Sequence, residues 1–353
     1  MNATRLFLVC MVSLLIYPVS GLAQRNMEVH YAYRPRAFDD FARHVDQVTL
    51  VSPETVVDEN GLDVSRLQPE LLKLAKQHNV KVMPQIKNRG FSQQTVHYIL
   101  TDEKARNRTI KSMVDLCKQH GLWGMQVDFE NVHVTDKDAL TRFYRDAAAA
   151  LRKEGYRISI AVVHRAEESP GPNSYTQWMM ENWRGAFDLK ALGEIGDFMK
   201  IMSYAQHTRR TTPGPSQGLP WVEQVLQYFL RFVPPEKLSL GITTSGSHYF
   251  TLADTARYYL NARSFSGGIS VHVADSLIKF YRADPLRWDD RQKVLYGYFE
   301  NGGVFEWIFI DNDVRSFDAK LDLVRKYKLR GINNWFSGND DQRIWDSMRD
   351  FRW

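Results

Sequence analysis

Short runs rich in β-branched and aromatic residues alternate along the chain with stretches whose apolar residues recur every three or four positions. The runs cover 27–33, 47–52, 81–86, 124–130, 157–164, 198–204, 237–243 and 331–336, and each predicts a strand. The intervening patterns at 68–78, 103–120, 136–154, 221–232 and 317–327 predict helices, several ending near Gly or Pro. Strand followed by helix, repeated around eight strands, predicts parallel βα units closed into an α/β (β/α)8 barrel, the TIM-barrel architecture. The rhythm breaks once, at about 245–311. That stretch holds Gly267-Gly268, a charged helical pattern through Tyr281, and two β-rich runs joined by Asn301-Gly302-Gly303, a hairpin signature. A barrel of this type needs ~250 residues. The surplus is about the size of the break, so a small α+β insertion between strands seven and eight is expected instead of a second domain.

The first 23 residues stand apart. Arg5 is their one charge, an apolar run at 6–19 follows, and Gly21-Leu22-Ala23 offers small residues where a signal peptidase cuts. The run is shorter than the ~20 residues that span a bilayer. The segment is therefore expected to direct export and to be removed, leaving 24–353 as a secreted, periplasmic or cell-envelope protein without a transmembrane segment. Of two cysteines, Cys10 leaves with the signal and Cys117 stays, in the apolar phase of a helix, as core filler; no disulfide framework is possible. A net charge of +5 with no long basic block argues against nucleic acid as a partner. A monomer is expected.

Barrels of this kind carry chemistry at the carboxyl ends of their strands. Strand four ends Gln126-Val127-Asp128-Phe129-Glu130, and period-two alternation puts Gln126, Asp128 and Glu130 on one face, toward the lumen. Two confined acids cannot both ionise freely, so one is driven toward its protonated form and becomes a proton donor. Glu130, nearer the mouth, is the candidate acid. With Cα atoms roughly 6.6 Å apart on one strand, the two carboxylates reach a substrate from the same side. They do not flank a bond as the pair of an ordinary glycosidase does, which suits a single protein acid and a nucleophile supplied by the substrate. A buried carboxylate network without chemistry is the bland alternative.

The segment from Gly124 to Val132 resembles the catalytic strand of the family 18 glycoside hydrolases, the chitinase-like family, whose pattern is Asp-x-x-Asp-x-Asp-x-Glu. It is most similar to the bacterial branch of N-acetylglucosaminidases that act on peptidoglycan of spores and cell walls. Further matches follow in order: Pro84, Asn88 and Phe91 after strand three, Met202-Ser203-Tyr204 ending strand six, Pro213-Gly214-Pro215 before Trp221-Val222, and Arg330 to Trp335 ending strand eight. The resemblance implies that Glu130 protonates the glycosidic oxygen, Asp128 orients the 2-acetamido group, Tyr204 holds the acetamido oxygen as it attacks, and Trp335 floors the subsite at the cleaved bond. Gln126, Asn88, Met202, Gln206 and Tyr249 are further substrate-binding candidates, and Trp288 and Trp307 candidates for stacking on sugar. The partner implied is a polysaccharide containing N-acetylglucosamine, cut by retaining, substrate-assisted catalysis with no cofactor and no metal.

The sequence also departs from that pattern. Its outermost Asp falls on Trp123, its middle one on Gln126, and the Asp that commonly follows the strand-six Tyr falls on Ala205. A lectin-like barrel that binds sugar without cutting it is therefore the principal rival. His30, His164, His207 and His248 near strand ends allow a third reading, a metal-dependent hydrolase on the same fold, although no pair has metal-ligand spacing on one element.

Overall fold

A computed structural model describes residues 27–31, 36–252, 263–335 and 341–350. The segment expected to direct export lies outside these residues, as do the tails of the first and last strand runs. Eight parallel strands close on themselves: Met27–Tyr31, Leu50–Asp58, Gln85–Asn88, Gly124–Asp128, Arg157–Val163, Phe198–Met202, Leu238–Thr243 and Gly331–Trp335, the first pairing with both the second and the eighth. The predicted (β/α)8 barrel is thus the observed one.

The helices between the strands follow their sequence signals. Asp102 caps Glu103–His120 by accepting from Ala105 N, and Gly121, at φ 61, ends it in the left-handed conformation that favours glycine. The outward residues of strand four, Val127 and Phe129, are fully buried beneath Lys137–Lys153, with the Phe129 and Phe143 rings 5.3 Å apart. Cys117 is buried, and desolvation pushes its thiol up to about 12, as expected of core filler. Strand three differs from expectation. Pro84 supplies no N–H, so the strand splits into Lys81–Val82 and Gln85–Asn88.

Between the seventh and eighth barrel strands the chain forms a five-stranded antiparallel sheet, ordered Arg263–Ile269, Gly246–Leu252, Val304–Ile310, Val294–Asn301 and Arg287–Asp289. The hairpin turn is Gly302-Gly303, at φ 57 and 82, the left-handed pair a two-residue turn requires. The helix Val271–Phe280 covers one sheet face, burying Ile269, Phe299, Ile308 and Ile310. The other face carries Tyr249, Tyr296, Tyr298, Phe305, Trp307 and Phe309, brought together by the register Tyr249↔Trp307, Tyr298↔Trp307 and Tyr296↔Phe309.

Candidate active site

The lumen is layered by strand parity. Leu50, Met83 and Phe198 close its amino-terminal end, with Trp123 packed against them and its ring 6.2 Å from that of Phe198. Trp123 therefore stands at the closed end of the barrel. Above this plug lies a buried polar layer of Glu28, Ser52, Gln85, Gln126, Ser159, Lys200 and Asn333. Glu28 Oε1 accepts from Ser52 Oγ at 2.9 Å and from Gln126 Nε2 at 2.9 Å; Gln126 Nε2 also donates to Ser159 Oγ at 3.0 Å. Lys200 balances the negative charge. Desolvation lowers its pKa, and the nearby Asp128 and Glu28 oppose that shift.

Asp128 sits one layer higher, buried, with Oδ2 accepting from Gln85 Nε2 at 2.9 Å and Oδ1 without a partner among the described residues. Glu130 follows at the floor of a cavity of about 260 Å³, lined also by Met202, Tyr204, Trp183 and Tyr175. Its side chain keeps some exposure to that cavity, but protein encloses it elsewhere. Desolvation first, then the Asp128 charge, pushes its pKa up to about 8, against the opposing pull of Lys87 and Lys200. Burial and the neighbouring charge thus favour the protonated form of Glu130. Lys87, although desolvated, is held above its usual value by Asp128, Glu54 and Glu130, and donates to Glu54 Oε1 at 3.0 Å.

The strand ladder ends at Asp128, two residues short of the sequence expectation. A side chain takes over beyond it: Asn88 Oδ1 accepts from Glu130 N at 3.0 Å and Asn88 Nδ2 donates to Glu130 O at 2.9 Å. Tyr204 stands across the cavity, its pKa raised well above the usual tyrosine value by desolvation and by the charges of Asp128 and Glu130. Its ring stacks on Trp335 at 5.0 Å and 15°. Gly241, on the strand between them, makes that approach possible, since a Cβ there would come 3.2 Å from Tyr204 Cε1 and 2.3 Å from Ile201 O.

Glu130, Asp128, Tyr204, Trp335 and Met202 are thus brought together at the mouth of the barrel. Three candidate contacts are corrected. Gln126 is fully buried beneath Asp128, with its Nε2 engaged by Glu28 and Ser159. Asn88 is buried and spent on the Glu130 backbone and Ser92 O. Gln206 is not among them: its Oε1 accepts from Gly218 N at 2.9 Å, and the residue stays half-exposed in the loop after strand six. Tyr249 is fully buried in the insertion, its ring edge-on to Phe309. Trp288 lies under the Arg315 guanidinium, 4.2 Å from its ring centre, while Trp307 is half-buried beside Phe305. The histidines do not converge: His164 meets Arg184, His207 Nδ1 meets Thr212 O, and His248 pairs with Glu306, while the His30 side chain lies outside the description. Among the described residues no group of three His, Cys, Asp or Glu could hold a metal ion.

Trp183, Tyr175 and Arg184 escaped the sequence reading. They lie on the segment formed by the helix Ser174–Met179 and the wider turn Met180–Arg184, in the connection after strand five.

The sequence pattern of Glycosyl hydrolases family 18 matches residues 30–340. The cortical fragment-lytic enzyme of Bacillus subtilis is 26% identical over 297 residues, covering 82% of this chain and 64% of that protein. Among solved structures, the spore cortex-lytic enzyme SleL of Bacillus megaterium superposes with a TM-score of 0.79 at 21% identity, over 92% of this chain and 73% of that one. A chitinase from Chromobacterium violaceum superposes with a TM-score of 0.80 at 20% identity, over 92% and 98%. The chain spans 54% and 64% of the length of two curated Bacillus subtilis relatives that it matches.

Proposed function

The chain belongs to family 18 of the glycosyl hydrolases, a glycosidase by family, and from that premise we propose that it is an exported enzyme cleaving β-linked N-acetylglucosamine polymers with retention. Glu130 donates its proton to the glycosidic oxygen and later, as a carboxylate, takes one from water. The substrate's own acetamido oxygen attacks the anomeric carbon, in place of a protein nucleophile. Asp128 Oδ1, with no partner among the described residues, accepts from the acetamido N–H, and the carboxylate balances the cyclic cation that forms. The Tyr204 hydroxyl steadies the acetamido oxygen, and Trp335 backs the sugar ring.

The observation that carries this reading is the succession of two acids at the end of strand four, the outer one largely enclosed by protein and opening onto a cavity, the inner one bonded from below by Gln85. The cortical fragment-lytic and chitinase relatives support a glycan of N-acetylglucosamine as substrate. Of the acids missing from the family pattern, the one replaced by Trp123 would stand at the closed end of the barrel, remote from any sugar. The test is hydrolysis of N-acetylglucosamine oligosaccharides and peptidoglycan by the mature protein, with products identified by mass. Glu130→Gln should lose ~10²- to 10⁴-fold in turnover while keeping binding. Undiminished turnover in that variant, or rapid cleavage of a glucan lacking acetamido groups, refutes the assignment. A lectin-like barrel would bind the same oligosaccharides with no turnover in the parent.

A further inference from the structure

Barrel strands six and seven diverge before they reach the mouth. Their ladder ends at the pair Ile201↔Leu240. Beyond it Ser203 N turns back onto Ile201 O at 2.9 Å, and Ala205 takes φ 63, a left-handed conformation that is costly for a residue with a Cβ. Tyr204 lies between these two irregular positions. The ladder between the two strands therefore does not reach Ser203 O, Gly241 O or Thr243 N, all three in buried residues, and buried backbone groups need partners from elsewhere.

One side chain meets all three. Gln217 is fully buried; its Nε2 donates to Ser203 O at 2.6 Å and to Gly241 O at 2.9 Å, and its Oε1 accepts from Thr243 N at 2.8 Å. Only Asn and Gln side chains combine two N–H donors with a carbonyl acceptor. The preceding residue holds the loop itself, since Ser216 Oγ accepts from Ala205 N at 2.9 Å and Ser216 O from Gln206 N at 3.0 Å. On strand seven, Thr244 N donates to Trp335 O at 2.8 Å. The Gln217 amide thus bridges the strand ends that carry the stacked rings of Tyr204 and Trp335. The insertion braces it from behind: just past the strand Val304–Ile310, Asp311 Oδ2 accepts from Gln217 N at 2.7 Å, and Asn312 Nδ2 donates to Thr244 O at 2.5 Å.

We propose that Gln217, braced by Asp311, is the positioning residue for Tyr204, so that the tyrosine hydroxyl meets the acetamido oxygen only while this amide spans strands six and seven. The inference rests on the glycosidase reading above. Gln217 is buried and touches no sugar. Its hold is on the carbonyl of the Ser203–Tyr204 peptide, the plane from which the tyrosine departs. An amide that merely stabilised the fold would cost stability whatever residue stood at 204, whereas a positioning amide loses its effect on turnover once there is no hydroxyl to place.

The test is a double-mutant cycle on N-acetylglucosamine oligosaccharides. Gln217→Met keeps the length of the side chain without its donors and acceptor. It should lower kcat ~10- to 100-fold with KM within about threefold, and in a Tyr204→Phe background the same change should cost kcat no more than about threefold. Gln217→Glu still accepts from Thr243 N and, when protonated, donates once; it should keep more of kcat than the Met variant, and it carries the same cycle if that variant does not fold. Losses that multiply in full overturn the inference and leave the glycosidase reading standing. A readout independent of turnover is the fluorine NMR spectrum of protein labelled with fluorotyrosine, in which the Tyr204 signal is the one absent from Tyr204→Phe. That signal should shift or broaden in the Gln217 variants while the signal of Tyr144, buried on the helix Lys137–Lys153, stays in place. An unmoved Tyr204 signal overturns the positioning role. If the parent cuts no glycan, the glycosidase reading falls, and the spectrum still decides whether Gln217 places the tyrosine.

Discussion

In the barrel, parallel strands are buried on both faces, and a polar side chain reaches the site only from a position of lumen parity. In the insertion, antiparallel strands bury one face beneath the helix Val271–Phe280 and leave aromatic rings on the other, with Tyr298 56% and Phe305 39% exposed. The same alternation serves opposite ends. The barrel encloses two acids so that burial raises the pKa of the outer one, while the insertion displays apolar planes to whatever lies beside it. Chemistry should therefore be lost through the barrel, and reach along a polymer through the insertion.

The sharpest way to break this contrast is Asp128→Asn. An amide cannot balance a cation, so turnover should fall ~10²- to 10³-fold with oligosaccharide binding retained, as measured by single-turnover kinetics and calorimetry. Next comes Asn88→Ala, which touches no sugar. It strands the Glu130 amide and should cost about 1–3 kcal/mol of stability and ~10-fold in kcat through misplacement of the acid, with KM nearly unchanged. A loss confined to KM would show that Asn88 meets substrate after all.

Protonation gives a third handle. The proposed mechanism makes Glu130 the acid, so turnover should hold below its raised pKa and decline as pH rises through about 8. The same shift makes Glu130 a stability liability. A carboxyl whose pKa rises from 4.5 to about 8 on folding contributes stability in full below 4.5, and that contribution is lost as pH climbs through 8. Glu130→Gln, permanently neutral, should then melt higher than the parent at pH 8 and converge with it at pH 4, as differential scanning calorimetry would reveal. The smallest effect is expected in the insertion. Tyr298→Ser with Phe305→Ser should leave turnover of short oligosaccharides unchanged and weaken binding of long polymer a few-fold, with stability within about 0.5 kcal/mol.

Eight strands and the flanking helices were legible because each obeys one period at a time. The pattern at 103–120 coincides with the observed helix, and the Gly302-Gly303 turn announced its hairpin. Less was visible where two requirements compete. The strands Gly246–Leu252 and Arg263–Ile269 hold three glycines in fourteen residues, which masks alternation. Lys200 hides in an apolar run, although it shares parity with Met202 and Tyr204 and must face the lumen with them; the same count places Glu28. Asn88 was found but misassigned, since sequence shows that an amide stands near the mouth and not which groups spend it. Arg184 left no periodic signal, because its contact with His164 joins two segments that meet only in space.

The clamp on Glu130 has a consequence for how motion at the site can be observed. The amide hydrogen of residue 130 is held by a side-chain oxygen, whereas that of Gln126 is held by the backbone carbonyl of Pro84. Deuterium uptake at these two amides therefore reports two different openings: the first follows rotation of one asparagine, the second requires parting of barrel strands three and four. An enzyme that loosens its proton donor without loosening its barrel would exchange the first long before the second.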